Sequence, residues 1–191
     1  QILTGPNAEK KDGEIEQKNR VSIRDNLAEK SWKSNFKINP NINEYGDSKA
    51  EIIDFAIVDQ NGYFTNVIEK GTCFKLISKV KFNVSMKDPI FTFTFKNVRG
   101  IDITGTNTDI ENKKLGWVDE GDIYTCTFEQ DMFLQGGEYL LSMSCTSYED
   151  GELKAHHRMY DLTSVTVISS KNTVGFYDMN SVITLEKMNE G

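Results

Sequence analysis

Cysteine, histidine and basic charge are all in short supply in this sequence, and each shortage narrows the choices. Three cysteines, Cys73, Cys126 and Cys145, are widely spaced and odd in number, which does not suit a small scaffold stapled by disulfides. They lie in apolar or alternating segments and read as buried free thiols. A Cys126–Cys145 bridge is the alternative if their strands are neighbours. Free thiols fit a reducing compartment. The two histidines, His156 and His157, are adjacent. On a strand they point to opposite faces and cannot ligate one metal together. Lys and Arg number 22 against 29 Asp and Glu, for a formal net charge of −7. That balance argues against nucleic acid as a partner and against simple docking to anionic lipid, since both need a basic face.

Long apolar runs are missing too. Nothing approaches the roughly 18 to 20 residues of a membrane span, and the polar opening residues carry no signal-peptide core. The chain begins on Gln1 rather than methionine, which reads as a piece of a longer protein. Catalytic signatures are equally scarce. There is no Gly-rich phosphate loop ending in Gly-Lys-Ser or Gly-Lys-Thr, no His-Glu-x-x-His, no Gly-x-Ser-x-Gly and no Cys-x-x-Cys. The expectation is a chain that hydrolyses no ATP, catalyses nothing, and holds neither metal nor cofactor. Carboxylates do gather at Asp102, Asp109, Glu111, Asp119, Glu120 and Asp122. A glycosidase needs two across a cleft roughly 5 to 9.5 Å wide, a pairing no single sequence displays. Set in turns, these residues read as solvated. A loop calcium site is the alternative, without the EF-hand spacing.

What is present is alternation. Residues 1–44 are polar and charged and read as a linker. It contains one candidate short helix, where Ile23 with Leu27, and Ala28 with Trp32 and Phe36, recur at helical spacing. From residue 45 to 191 the period is two. Ile53, Phe55 and Ile57 alternate with Asp54 and Ala56; Phe74, Leu76, Val80 and Phe82 share one parity. Phe91, Phe93 and Phe95 oppose Thr92, Thr94 and Lys96, and Tyr139, Leu141, Met143 and Cys145 oppose Ser142, Ser144 and Thr146. Further short strands are expected near 154–160, 164–169 and 181–187. About nine strands separated by Gly, Asn and Asp turns predict an all-β fold, an antiparallel sandwich of immunoglobulin-like or jelly-roll type.

The polar parity of these strands is the candidate site. Thr92, Thr94 and Lys96 form one row, Ser142, Ser144 and Thr146 a second, and His156, Arg158 and Tyr160 a third. Hydroxyls and a guanidinium hydrogen-bond sugar hydroxyls, and an aromatic ring packs on the apolar face of a pyranose. Periodicity alone is equally served by a solvated sheet face.

Several ordered segments resemble one family. They are AEIIDFAIVDQNG at 50–62, FKLISKVKFNV at 74–84, PIFTFTFKNVRGIDITGTNT at 89–108, LQGGEYLLSMS at 134–144 and MYDLTSVTVIS at 159–169, with Gly175 after them. Together they resemble the carbohydrate-binding C-terminal domain of Wzt-type ATPases from glycan-exporting ABC transporters. The chain departs from that pattern at Leu162–Val167, where an aromatic pair and a Phe are common in the family. The resemblance implies a sandwich that binds a polysaccharide such as O-antigen or teichoic acid on one sheet face. It implies a homodimer formed through the C-terminal strand and an ATPase domain upstream. It also implies a place at the cytoplasmic side of the membrane, beside a transporter subunit. Within that reading, Arg158 is the strongest single contact for an anionic glycan, and Asn107 and Thr108 are turn formers. The competing readings are a structural or dimerising sandwich without sugar affinity, and an extracellular carbohydrate-binding module.

Overall fold

A computed structural model describes residues 20–24 and 31–188. The strands are β1 (Asn43–Tyr45), β2 (Ala50–Asp59), β3 (Val67–Glu69), β4 (Cys73–Phe82), β5 (Met86–Lys87), β6 (Ile90–Asn97), β7 (Asp102–Asn107), β8 (Trp117–Val118), β9 (Ile123–Asp131), β10 (Gly137–Glu149) and β11 (Glu152–Ile168). One sheet has the order β1-β11-β10-β6-β7, with β3 joined in parallel to the end of β11. The second has the order β2-β4-β9, and β5 and β8 form a two-stranded ribbon. Every pairing except β3–β11 is antiparallel. The all-β sandwich expected from the alternation is the fold observed.

Its core is the sum of the apolar parities. Phe91, Phe93 and Phe95 of β6 and Leu141, Met143 and Cys145 of β10 meet Phe55, Ile57, Phe74, Leu76, Val80 and Phe82 of the facing sheet. Phe93 packs edge-on against Phe128 with centroids 4.9 Å apart. Cys73, Cys126 and Cys145 are free thiols. Burial pushes the thiol of Cys126 up to about 11 and that of Cys145 up to about 12, so neither supplies a thiolate near neutral pH.

Parity fails at one place in β2. Ile52 pairs with Val80 and Asp54 with Lys79, leaving Ile53 as an extra residue. Such a bulge exchanges the faces of everything beyond it. Ile52 therefore takes the buried position expected for Ile53, while Phe55 and Ile57 point inward as their spacing requires.

The bulge also sends Asp54 to the outer face, where it holds the segment that precedes the sheets. Its carboxylate accepts from the Ser31 hydroxyl at 3.1 Å and from the amides of Trp32 and Lys33 at 2.9 and 2.8 Å. It thereby caps a 3₁₀ turn over Trp32–Asn35. The Lys79 ammonium sits 3.9 Å from the Trp32 ring centroid, and Phe36 packs tilted on Phe55 at 5.2 Å. A second apolar cluster of Ala56, Val58, Phe64 and Ile77, with Ile23, Trp32 and Phe36 against it, fills the space beneath. Residues 31–44, expected as linker, therefore form a strap along the sandwich. The expected helix falls partly on 25–30, outside the described residues. Within them a single 3₁₀ turn replaces it, because Trp32 and Phe36 are spent on the sheet surface.

At the other end, 169–188 contains no strand, contrary to the strand expected near 181–187. The chain is tied as far as Asp178. Gln135 N donates to the Phe176 carbonyl at 2.9 Å and Asp178 N to the Phe133 carbonyl at 2.7 Å. The Asp178 carboxylate meets the Lys171 and Lys70 ammonium groups at 2.6 and 3.0 Å, which hold it far below the usual carboxylate range. Beyond it Val182 and Leu185 are 96% and 92% exposed. A strand needs a partner, and residues 181–187 pair with no sheet edge among the described residues.

Asp54→Ala removes the acceptor for three strap donors. We expect a loss of about 1–3 kcal/mol in denaturant unfolding, with Trp32 emission changing before the sheets melt. An unchanged midpoint would show that the strap adds nothing to stability.

Candidate functional site

The outer face of the larger sheet carries a row of polar side chains set by register. Tyr45 of β1 lies opposite Arg158 of β11, Arg158 opposite Ser144 of β10, Ser144 opposite Thr92 of β6, and Thr92 opposite Asn107 of β7. Directly opposed residues share a face, so five neighbouring strands present one line about 19 Å across. A second line runs from Ser142 to Thr94 and then to Gly105. Glycine is required there by close approach, because a Cβ at 105 would lie 2.4 Å from the Phe93 carbonyl oxygen. On the same outer face lies a cavity of about 230 Å³ whose walls include Thr92, Thr94, Ser142, Ser144, Thr146, Arg158 and Tyr160.

Seven of the nine sequence-selected residues thus meet around one hollow. Lys96 stands just beyond it, its ammonium 4.8 Å from the Tyr160 ring centroid. The Arg158 guanidinium donates to the phenol oxygens of Tyr160 at 3.0 Å and Tyr45 at 3.3 Å, and its bond to Tyr45 holds the pKa of that phenol below its ordinary value. Arg158 makes no ion pair with a carboxylate among the described residues, and its buried Nε has no hydrogen-bond partner there. Tyr160 is less free for stacking than its sequence position suggests, since Lys96 and the tilted Tyr45 ring at 6.0 Å both pack on it. Tyr148, at the far end of the hollow and 59% exposed, is the better placed ring, and the sequence reading passed it over. Its cross-strand partner Leu153 lies beside it. Asn107 does what a turn former does, its side-chain oxygen accepting from Ile110 N at 2.7 Å, and the Thr108 hydroxyl accepts from Phe91 N.

His156 is not on this face. β11 pairs Cys145 with His157 and Thr146 with Ala155, so His156 is the extra residue of a bulge and turns inward. It is 0% exposed. Its Nε2 lies 2.7 Å from the Ser147 hydroxyl and its Nδ1 2.9 Å from the Asp47 carboxylate. Gly46 presses against its backbone, where a Cβ would come within 2.0 Å of the His156 carbonyl oxygen. The Ser–His–Asp order imitates a hydrolytic triad, but Ser147 is buried beneath the hairpin and no substrate carbonyl reaches it. Asp47, Glu149 and His156 place one ligand atom each within 4.8 Å. There the Lys49 ammonium bonds both Glu149 oxygens at 2.7 and 2.9 Å and lies 3.8 Å from Asp47, supplying the positive charge itself. His157 is structural as well. Its Nδ1 accepts from Ile52 N at 2.8 Å, tying the two sheets together, and its Nε2 meets Glu44 at 2.7 Å.

Two of the acidic turn residues are occupied locally. Asp122 accepts from Asp119 N at 3.0 Å, and Glu111 accepts from the Thr106 hydroxyl at 2.6 Å. No helix of the described residues is long and apolar enough to cross a membrane.

Fold and site together define a β-sandwich whose larger sheet carries a shallow polar groove, with no accessible pair of nucleophile and base beside it among the described residues. The chain belongs to the Wzt C-terminal domain family, whose model matches residues 41–179, and this supports a part in polysaccharide export by an ABC transporter. A crystal structure of the C-terminal domain of Wzt shares the fold, with a TM-score of 0.75 and 22% identity over 84% of this chain and 99% of that one. The CARDB domain of a Pyrococcus furiosus protein, at 10% identity over 60% and 88% of the two chains and a TM-score of 0.34, is too distant to inform the reading. The same holds for a β-glucosidase from Listeria innocua, at 12% identity over 64% and 17% and a TM-score of 0.35. Comparison with curated proteins gives no match.

If His156 is a structural buttress, His156→Ala strands a buried serine hydroxyl. It should lower unfolding free energy by about 1–3 kcal/mol, read from the urea midpoint, and a midpoint equal to wild type would refute the role.

Proposed function

We propose that this domain recognises a polysaccharide in the groove across β1, β11, β10, β6 and β7, making and breaking no covalent bond. Recognition selects the lipid-linked glycan for export on the cytoplasmic side of the membrane, beside a transporter whose ATPase domain lies upstream of this segment. The carrying observation is the register that lines up Tyr45, Arg158, Ser144, Thr92 and Asn107 across five strands. Hydroxyls that both donate and accept, a guanidinium fork and an exposed ring at Tyr148 suit the alternating polar and apolar faces of sugars. Arg158 has no carboxylate partner among the described residues; with Nη1 on the two phenols and Nε buried, its Nη2 and its charge are left for a phosphate or carboxylate of an anionic wall or surface polymer. Thr92, Thr94, Lys96, Ser142, Ser144, Thr146 and Tyr160 complete the contact surface; His156 supports it from within.

The C-terminal segment supports homodimerisation. Val182, Ile183 and Leu185 are exposed on a stretch that alternates like a strand. β7 is one edge of the larger sheet and β9 one edge of the smaller, and between them lies an apolar cleft of about 1140 Å³ with Phe74, Phe91, Phe93 and Phe128 in its walls. Tyr177 stands at its rim, so the tail leaves the domain beside a cleft of the kind it would fill in a second copy. Unpaired edges invite such pairing.

Calorimetric titration with the polysaccharide of the source strain, freed of lipid, should give saturable binding, and Arg158→Ala should weaken it by about tenfold or more with the fold intact. Absence of heat at millimolar repeat units would favour a structural sandwich instead. Deleting residues 181–191 should convert a dimer to a monomer in light scattering, and a dimer that survives would sink the exchange.

A further inference from the structure

β11 turns one side chain toward the groove that regular alternation would bury. Asp161 follows Tyr160, and on an even strand the two would face opposite ways. Here Met159 pairs with Met143 and Thr163 with Leu141, leaving Tyr160, Asp161 and Leu162 opposite Ser142 alone. Asp161 adopts φ 55°, a left-handed conformation that favours Gly, Asn and Asp. The bulge exchanges two side chains: Leu162 becomes fully buried in the core, and Asp161 comes out beside Lys96.

Backbone contacts hold the bulge. The Asp161 amide donates to the Ser142 hydroxyl at 2.9 Å, its carbonyl accepts from the Asn39 side-chain amide at 2.9 Å, and the Leu162 carbonyl accepts from Asn39 N at 2.9 Å. None of these uses the carboxylate. That group is 36% exposed and lies 3.7 Å from the Lys96 ammonium, beyond hydrogen-bond length. Its Oδ1, the oxygen facing Lys96, is buried and has no hydrogen-bond partner among the described residues, which leaves Oδ2 as the oxygen open to a ligand. Backbone strain with an underused side chain is the pattern of a functional position.

We infer that Asp161 and Lys96 form a specificity-determining subsite that reads two neighbouring hydroxyls of a sugar ring. The carboxylate accepts from one hydroxyl, and the ammonium donates to the oxygen of the next. The Tyr160 ring beneath Lys96 keeps the ammonium in place. This subsite rests on the polysaccharide reading above and adds the chemical feature recognised, a vicinal diol.

Asp161→Gly separates the two roles of the residue. Glycine keeps the backbone bonds and removes the left-handed penalty, so a structural role for the carboxylate predicts lost stability, and a recognition role predicts lost affinity. The probes are the lipid-free polysaccharide of the source strain and the same polymer after periodate oxidation and borohydride reduction, which opens vicinal diols. Wild type should bind the native polymer and lose about tenfold on oxidation. Asp161→Gly should melt at or above the wild-type temperature, bind the native polymer about tenfold more weakly, and hardly distinguish it from the oxidised one. Asp161→Asn, which tolerates the same backbone, should fall between. Wild-type affinity in Asp161→Gly, a lowered melting temperature, or an undiminished sensitivity to oxidation would each overturn the subsite while leaving the groove standing. Failure of the wild-type domain to bind either polymer would remove the groove reading, and the subsite with it.

Discussion

Strand β11 must serve three neighbours at once. Over 17 residues it pairs with β10 throughout, with β1 near its middle and with β3 at its end. A strand of that length keeps register only by inserting residues, and β11 does so twice. The bulge at His156 turns an imidazole inward beneath the hairpin, where Ser147 and Asp47 satisfy it. The bulge at Tyr160–Leu162 puts a leucine in the core and an aspartate at the surface. Between them, Arg158 and Tyr160 keep the outward parity that builds the groove. Burial explains both: an uncompensated carboxylate in the core is costly, and a buried imidazole is tolerable once both ring nitrogens have partners.

The same bulges decide how much of the molecule is legible from sequence. Where alternation runs unbroken, in β6 and β10, the faces follow from residue order alone. Phe91, Phe93 and Phe95 face the core, and Thr92, Thr94, Ser142 and Ser144 face the groove, Ser142 buried at its floor. Where an extra residue intervenes, parity misleads, so Ile53 gives way to Ile52 and His156 leaves the site. Asp161 was overlooked for the same reason. An acidic residue between Tyr160 and Leu162, on a parity that is mostly apolar in this strand, is the available signal, since a carboxylate there must be paired or expelled. Tyr148 was missed differently: it sits at the hairpin end of β10, where a strand face merges with a turn.

The strap and the tail show what composition alone hides. Residues 31–44 are polar and read as linker, yet Asp54 recruits their backbone to the outside of the smaller sheet, and Tyr45 reaches the groove from the strand that follows. The strap also bonds the groove's bulge directly, through Asn39 to Asp161 and Leu162 and through Lys37 to the Thr163 hydroxyl. The groove and the route to any upstream domain therefore share covalent and hydrogen-bonded structure. The tail is the converse case, a strand-like sequence that joins no sheet edge among the described residues.

Recognition as proposed puts the glycan on one face of one sheet. Amide chemical-shift mapping of the isotopically labelled domain, titrated with the lipid-free polysaccharide of the source strain, reads out that face. Binding in the groove predicts shifts concentrated at Thr92, Thr94, Ser144, Arg158 and Asp161, with Lys79 and Thr125 on the opposite sheet unmoved. Shifts centred on β4 and β9, or none in the β6–β10–β11 face at saturation, would contradict it.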